Sequence, residues 1–339
     1  MKRITYISRL ANALSVDDIE TIGKVSGHNN RLHGITGLLV YFDRLFFQII
    51  EGPDEKVDHL FDKIGQDPRH QDILRLKTEY EVTERLFPVW TMKTFNLDHD
   101  LDELARPIKI LLQAVTESHA VIEHYTQPSV LKIVNQGMNP LVVAPALVDK
   151  IVLFIDIVSY STLSERLDFK EMLLILNTYF EICSRIILNV GGEVNKFLGD
   201  GLMAYFDVEQ ADDAIQVCLD IMQELQDLRG QAPPSSPLRL LHAGFGLDQG
   251  PVIEGNMGSR YKMDFTIIGD TVNTASRLEG LTRELDCSLI LSESVKNSTQ
   301  QLWAFVDLGK YHLKGKEMSA VIYSIAHPLL NAGTFLHSP

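Results

Sequence analysis

The chain has 339 residues, 45% hydrophobic and 22% charged, a balance that suits a folded protein and excludes a disordered or fibrous one. Against 31 basic residues stand 45 acidic ones, a formal charge of −14, so nucleic acid and anionic membrane are poor partners. Any phosphate ligand must therefore meet a local basic cluster or a metal. The three cysteines, Cys183, Cys218 and Cys287, are far apart and form no C-x-x-C pair. That argues against a disulfide framework or zinc site and for a reducing, cytoplasmic setting. The N-terminal MKRITYISRL lacks the apolar core of a signal peptide, and no run reaches the ~18 apolar residues of a membrane span.

The length suggests two domains. In the first, residues 3–8 read as a strand. Ser15 and Asp18 resemble a capping box ahead of a helical stripe through Ile19, Ile22 and Val25. Residues 35–42 and 45–51 form a predicted hairpin around Asp43-Arg44, and a second helix starts after Pro53 with Val57, Leu60, Phe61 and Ile64 in register. Strands are expected near 73–82 and 89–95. The order β-α-β-β-α-β-β is ferredoxin-like with an added strand.

Between the two halves, Leu104, Ile108, Leu111, Val115, Ser118, Ile122 and Tyr125 alternate spacings of four and three. This is a short heptad seam, read either as a helix packed on its own domain or as a parallel contact between two subunits. Pro128, Gly137, Pro140 and Pro145 mark a linker, with some helix around Val130–Val134.

From Lys150 the pattern changes. The apolar run at 151–155 reads as a buried strand that delivers Asp156 at its end. A long helix covers about 168–189; a hairpin follows, turning at Leu198-Gly199-Asp200-Gly201. Further helices are expected at 211–229 and 270–284, with strands between them, giving a sheet with helices on one face. Gly244, Gly246 and Gly250 are a near miss to a dinucleotide fingerprint; a strand pattern follows instead of a helix, so they are read as a turn.

Magnesium prefers carboxylate oxygens, and two metals close together can activate an attacking oxygen and hold leaving phosphates. Asp156 and Asp200 could supply such oxygens if their strands are neighbours. An isolated aspartate in a turn is more often only a turn former. Here IVLFIDIVSY (151–160), EVNKFLGDGLMAYF (193–206), DFTIIGDTVNTASRLE (264–279) and LKGK (313–316) occur together. In this order and spacing they resemble the class III adenylyl and guanylyl cyclases, over roughly 148–325.

The resemblance implies roles residue by residue. Asp156, Asp200 and the carbonyl of Ile157 would hold two Mg²⁺ or Mn²⁺ ions per site. Lys196 and Thr266 would read the purine, Lys donating to adenine N1 and Thr accepting from the 6-amino group. Guanylyl cyclases place Glu and Cys there, so ATP is the expected substrate. Many relatives have Asp where Thr266 stands; Thr occurs in a bacterial subclass. Asn273 and Arg277 would orient the ribose and stabilise charge on the reacting phosphate, and Lys314 would bind the triphosphate. In this family the two faces of the site come from different subunits, which implies a homodimer.

At the N-terminus, Tyr6, Asn30 before Ile35-Thr36-Gly37, Gln48, Asp67-Pro68-Arg69-His70, and Trp90 with Met92 in the last strand resemble the BLUF blue-light sensors. This match covers about 1–95. It implies a flavin, FAD or FMN, with Tyr6 donating to the amide of Gln48 beside the ring. Asn30 would hold the carbonyl edge of the ring, and Asp67 and Arg69 would sit near the ribityl-phosphate side. The expected class is α+β: a ferredoxin-like BLUF domain at 1–97, a connecting helix and linker at 98–147, a cyclase domain at 148–326 and a tail at 327–339. The expected function is blue-light-activated conversion of ATP to cyclic AMP. The alternatives are a photoactivated guanylyl cyclase and a light-dependent binding module with an inactive cyclase domain.

Overall fold

The computed structural model describes residues 1–11, 15–98, 105–136, 138–259, 261–313 and 319–330. The chain divides into two compact units, Met1–Val142 and Val143–Pro339.

The first unit runs β1 (Lys2–Leu10), α1 (Val16–His33), β2 (Thr36–Phe42), β3 (Leu45–Gly52), α2 (Asp54–Gly65), β4 (His70–Glu79), β5 (Lys93–Asn96), α3 (Ala105–Tyr125) and α4 (Pro128–Asn135). Its sheet has the order β4-β1-β3-β2-β5. The Ser15 hydroxyl caps α1, and Asp18 reaches back to the Ser15 amide. Asp43 and Arg44 both adopt positive φ, 42° and 63°, the two-residue turn whose twist matches a hairpin.

Period-two alternation in β1 sorts the faces. Ile4 and Tyr6 pack with Ile35, Ile50 and Val57, while Leu10 joins Ile19, Leu39 and Phe46. Ile7 points the other way, to Val40, Phe42, Leu74 and Leu112 of α3. Lys109 of α3 bridges Asp43 at 2.9 Å and Asp98 at 2.7 Å. The early part of the heptad seam is thus tied to its own domain through neighbouring residues. The seam itself stays open: Ile108, Leu111, Val115, Ile122 and Tyr125 are exposed. Leu104 lies outside the described residues.

One expectation needs correcting. Trp90 and Met92 precede β5 and are not in it. Side chains satisfy part of the segment before that strand: the amides of Leu86 and Phe87 donate to the buried Glu51 carboxylate at 3.0 and 2.7 Å, while the Trp90 carbonyl accepts from the Gly37 amide at 2.9 Å. A short strand then suffices to close the sheet.

The second unit runs β6 (Ala146–Ile157), α5 (Tyr160–Arg166), α6 (Phe169–Asn189), β7 (Glu193–Leu198), β8 (Gly201–Asp207), α7 (Ala211–Gln231), β9 (Ala243–Ser259), β10 (Lys262–Ile268), α8 (Asp270–Glu284), β11 (Leu289–Ser292), α9 (Glu293–Ser298), β12 (Phe305–Tyr311) and β13 (Ala320–Ile325). The sheet order is β12-β13-β11-β9-β6-β8-β7, with β10 paired to β9.

Helices cover both faces of this sheet, not one as the sequence suggested. Ile151, Leu153 and Ile155 pack with Ile175, Tyr179 and Ile215 from α6 and α7. Val152 points oppositely, with Met203, Tyr205 and Ala275 of α8. A strand covered on both sides reads as an unbroken apolar run, which is why 151–155 does not alternate.

Gly244, Gly246 and Gly250 are not a turn either; all three lie inside β9. They form the seat of α8. A Cβ on Gly246 would fall 2.2 Å from the Glu279 amide and 2.4 Å from the Ala275 carbonyl; one on Gly244 would fall 2.6 Å from Thr282 Oγ1. These are backbone and buried contacts that cannot swing aside. We expect Gly246→Ala to destabilise the second unit by about 3 kcal/mol, the upper range for overpacking. Chemical denaturation measures this; an unchanged midpoint would show that α8 does not need the close approach.

Candidate active site and sensor site

The carboxylate pair comes from two neighbouring strands. In the antiparallel β6–β8 register Asp156 faces Gly201, and Asp200 sits in the turn just before β8. Gly199 takes a φ of 72°, a left-handed conformation that lets the β7–β8 chain reverse here. A Cβ on Gly201 would come within 3.3 Å of Asp156 Oδ1. The two carboxyl groups touch. Burial, then the hydrogen bond and charge of Asp156, push Asp200 up to about 6.

Behind the pair stands a second layer that sequence reasoning missed. Arg283 donates to Asp156 Oδ2 and lies 3.6 Å from Glu279 Oε1. Glu279 is buried, and burial together with the Asp156 charge raises its pKa to about 7. Glu279 was inside a recognised motif, and Arg283 lies one helical turn beyond it, so i,i+4 spacing was the available signal.

Among the described residues no group of three or more His, Cys, Asp and Glu is arranged to hold a metal. The donor set is two hard carboxylates and, from the backbone, the carbonyl of Ile157 at the end of β6. Two close carboxylates, one with an elevated pKa, are short of positive charge, so the residues present fit a divalent cation.

Asn273 and Arg277 lie four apart on α8, Asn273 exposed and Arg277 half-buried. Neither hydrogen-bonds or ion-pairs with Asp156 or Asp200; the guanidinium that does so is that of Arg283. Lys196 and Thr266 come from β7 and β10. Lys196 Nζ is 3.6 Å from Asp264 Oδ2. Thr266 is buried and its hydroxyl donates to Asn195 Oδ1 at 2.7 Å, while Asn195 Nδ2 donates to the Phe265 carbonyl at 3.3 Å. Asn195 was also missed, because nothing in a strand pattern marks which buried amide holds a partner. Lys314 lies outside the described residues.

At the other end of the chain, Tyr6 and Gln48 are directly opposed across β1 and β3. The Tyr6 hydroxyl donates to Gln48 Oε1. Complete burial, then the nearby Asp67 charge, holds the phenol well above its ordinary pKa, so it stays a donor. Gln48 Nε2 faces Met92 Sδ at 3.6 Å, a weak acceptor. Asn30, buried, donates to the Thr91 carbonyl at 2.9 Å. Trp90 is 37% exposed and stacks on Phe87 with ring centroids 5.4 Å apart, so Met92 and not Trp90 meets the Gln48 amide.

Arg69 forms a two-pronged ion pair with Asp67, at 3.0 and 2.5 Å, which lowers the Asp67 pKa to about 2. His70, only a motif marker in the sequence, accepts or donates at Nδ1 with Ser8 Oγ at 2.8 Å and packs against Phe46. A groove of about 480 Å³ runs along α1 past Gly27, Thr91 and Met92. The buried Tyr–Gln pair, an amide whose N–H meets only a thioether, and a neighbouring groove fit a planar heteroaromatic cofactor with nitrogen and carbonyl edges.

Residues 1–93 match the family described as sensors of blue light using FAD, and residues 144–326 match the adenylate and guanylate cyclase catalytic domain. The solved structure of a bacterial light-regulated adenylyl cyclase is 49% identical, with a TM-score of 0.90 over 96% of this chain and 94% of that one. A photoactivated adenylate cyclase subunit alpha of Euglena gracilis is 32% identical over 293 residues, and a subunit beta-like protein of the same organism is 28% identical over 336. These matches take in 86% and 98% of the present chain but span only 29% and 39% of the length of those two relatives. The second unit accounts for more than half of the chain in a single family match, and on that ground the protein belongs to the adenylate and guanylate cyclase family, with a flavin-type BLUF domain ahead of the catalytic one.

Proposed function

We propose that the protein converts ATP to 3′,5′-cyclic AMP and pyrophosphate under blue light. Residues 1–97 serve as the sensor, 98–147 as the connection, 148–326 as the catalytic domain and 327–339 as a tail. The observation that carries the choice of substrate is the hydrogen bond from Thr266 to Asn195. A hydroxyl has one proton. Thr266 has given its proton to Asn195 and can only accept from a base. Adenine offers an N–H donor at position 6; guanine offers an acceptor there. Lys196, a donor, complements adenine N1 in the same way.

Divalent metal, when bound, supplies the charge that acidifies the ribose 3′-hydroxyl and steadies the leaving phosphates. Asp156, Asp200 and the Ile157 carbonyl hold it. Asn273 orients the ribose, Arg277 meets the growing charge on the α-phosphate with a fixed set of donors, and Lys314 binds the triphosphate. Flavin, as FAD or FMN, supplies the absorption of blue light. Tyr6 and Gln48 exchange hydrogen bonds beside it, Asn30 holds its carbonyl edge, Met92 gives the Gln48 amide a weak resting partner, and Asp67, Arg69 and Trp90 border the pocket.

The working unit is a homodimer. Among the described residues Asn273 and Arg277 make no hydrogen bond or ion pair with the aspartates of their own chain, where Arg283 stands instead, and the exposed seam of α3 offers an apolar stripe at Ile108, Leu111, Val115 and Ile122. None of the described helices is long and apolar enough to cross a membrane, and we place the protein in the cytoplasm without nucleic-acid or membrane contact. A guanylyl cyclase would need an acceptor-to-donor reversal at Thr266. A binding module with an inactive domain would need a broken carboxylate pair, and the hydrogen bond and charge of Asp156 acting on Asp200 favour an intact one.

Cyclic nucleotide production from ATP and from GTP, in darkness and under blue light, tests the reading; turnover of GTP over ATP, or none of either, would overturn it. Asn195→Leu frees the Thr266 proton and should erode the ATP preference by roughly tenfold, about the weight of one hydrogen bond. Tyr6→Phe should retain flavin but lose the light-induced red shift in absorption; a normal shift would remove Tyr6 from the switch. Asp200→Asn removes like-charge repulsion, so its metal-free form should melt above the parent while Mn²⁺ binding disappears. Leu111→Glu with Val115→Glu should shift the mass in light scattering toward monomer and abolish light-dependent turnover.

A further inference from the structure

The catalytic reading leaves unused a pair of basic side chains behind the sheet of the second unit. Arg229 lies in the last turn of α7. Its Nη1 donates to the Leu241 carbonyl at 2.7 Å, and among the described residues no carboxylate pairs with it. The only cause acting on its pKa is burial, which lowers it, so no neighbouring negative charge offsets the guanidinium. His242 sits beside it at the entry to β9. Burial, then the Arg229 charge, pushes it down to about 4, so the imidazole is neutral at physiological pH. Its Nδ1 is buried and has no hydrogen-bond partner among the described residues.

Both residues line a half-enclosed cavity of about 110 Å³, together with Gln226 and Ser288; Met222 and Leu225 form part of its apolar wall. The room is enough for several waters, and far too small for a nucleotide. A half-buried cation with no carboxylate partner among the described residues and a buried ring nitrogen without a partner there both stand to gain from a ligand. One small ligand can relieve both. The uncompensated charge of Arg229 favours an anion over water or a cation. Such an anion must accept hydrogen bonds from the remaining guanidinium N–H groups and from His242, whose neutral ring can carry its proton on Nδ1.

We propose that this cavity binds a small monovalent anion, a short carboxylate or an inorganic oxyanion, between Arg229 and His242. Its position gives the occupant a mechanical connection to catalysis. The His242 carbonyl accepts from the Val158 amide at 2.9 Å, and Ala243 and Gly244 pair with Ile157 and Asp156 in the β6–β9 register. An anion that fixes His242 thereby steadies the strand end that carries the carboxylates.

The test uses the full chain in darkness, by thermal unfolding in sodium formate, nitrate or phosphate against sodium gluconate at matched ionic strength. Gluconate is too large for the cavity. The expected result is a saturable rise in Tm of roughly 2–4 °C with formate or nitrate over gluconate. A response to formate alone identifies a carboxylate site, and one shared with nitrate or phosphate an oxyanion site. Arg229→Gln keeps a donor for Leu241 but loses the charge, and should abolish the rise; His242→Asn should weaken it. Equal melting in formate, nitrate, phosphate and gluconate, or an undiminished rise in Arg229→Gln, overturns the proposal. Should that variant fail to fold, crystals of the unaltered protein grown in nitrate and in formate decide the matter: planar density for the anion between Arg229 and His242 is expected, and its absence with both overturns the site.

Discussion

Two carboxylates pressed together are the constraint from which the second unit follows. Asp156 and Asp200 meet because β6 and β8 are neighbours in a register that sets Asp156 opposite Gly201. Their contact is unfavourable when both are charged, and the elevated Asp200 pKa records that cost. The sign is instructive. A carboxyl whose folded pKa is raised to about 6 favours the fold while it keeps its proton, and that contribution is lost as pH rises through about 6. At neutral pH the repulsion is therefore present, and only positive charge can relieve it. Arg283 supplies part of that charge from behind, and Glu279 adds a third acidic group, so the deficit persists on the open side. A site of this kind stores its demand for a cation in the fold itself.

The strands can bear the repulsion because they are held so firmly. β6 is clamped on both faces, by α6 and α7 on one side and α8 on the other. The clamp on the α8 side depends on glycine. At Gly246 the helix backbone, and at Gly244 the Thr282 side chain, approach β9 at distances no Cβ would permit. This close approach does two things. It carries Glu279 and Arg283 down beside Asp156, and it fixes the direction in which Asn273 and Arg277, on the same helix, face outward. One packing decision thus sets both the background charge of the pair and the placement of Asn273 and Arg277, the groups proposed above for ribose and phosphate.

Much of this was legible before any coordinates. The capping box at Ser15, the hairpin at Asp43-Arg44 and the helices over 169–189 and 270–284 follow from short-range rules that tertiary packing did not override. Motif spacing brought Asp156 to Asp200 and Tyr6 to Gln48. The misreadings share a cause. The glycines of β9 were taken for a turn because a single sequence records backbone freedom but not the helix that exploits it. The sequence places Trp90 and Met92 in the last strand, whereas in the fold the carbonyls of Trp90 and Thr91 accept from the Gly37 amide and the Asn30 side chain, and the strand starts only at Lys93. Helices were put on one face only, although the non-alternating run at 151–155 already implied cover on both. Asn195, Glu279 and Arg283 act on other side chains, and such roles leave little trace in composition or periodicity.

The two ends of the chain treat the same chemical ambiguity in opposite ways. A hydroxyl and a primary amide can each donate or accept, and what a neighbour sees depends on where the protons are sent. In the catalytic unit Asn195 is anchored by the Phe265 carbonyl and takes the Thr266 proton, so the hydroxyl is fixed as an acceptor. On the proposed reading, fixing it would create discrimination, because a base with the wrong hydrogen-bond pattern would find no partner at Thr266. In the sensor unit the Gln48 oxygen has a strong donor in Tyr6, but its N–H group meets only sulfur. Half of the amide is committed and half is held weakly. Reorienting it exchanges one good hydrogen bond and one poor one for another such set, and the energy gap between the two arrangements stays small. Replacing Met92 with an oxygen acceptor would deepen one arrangement at the expense of the other. On the proposed reading, a weak partner at Gln48 would serve switching, just as a strong one at Asn195 would serve selectivity.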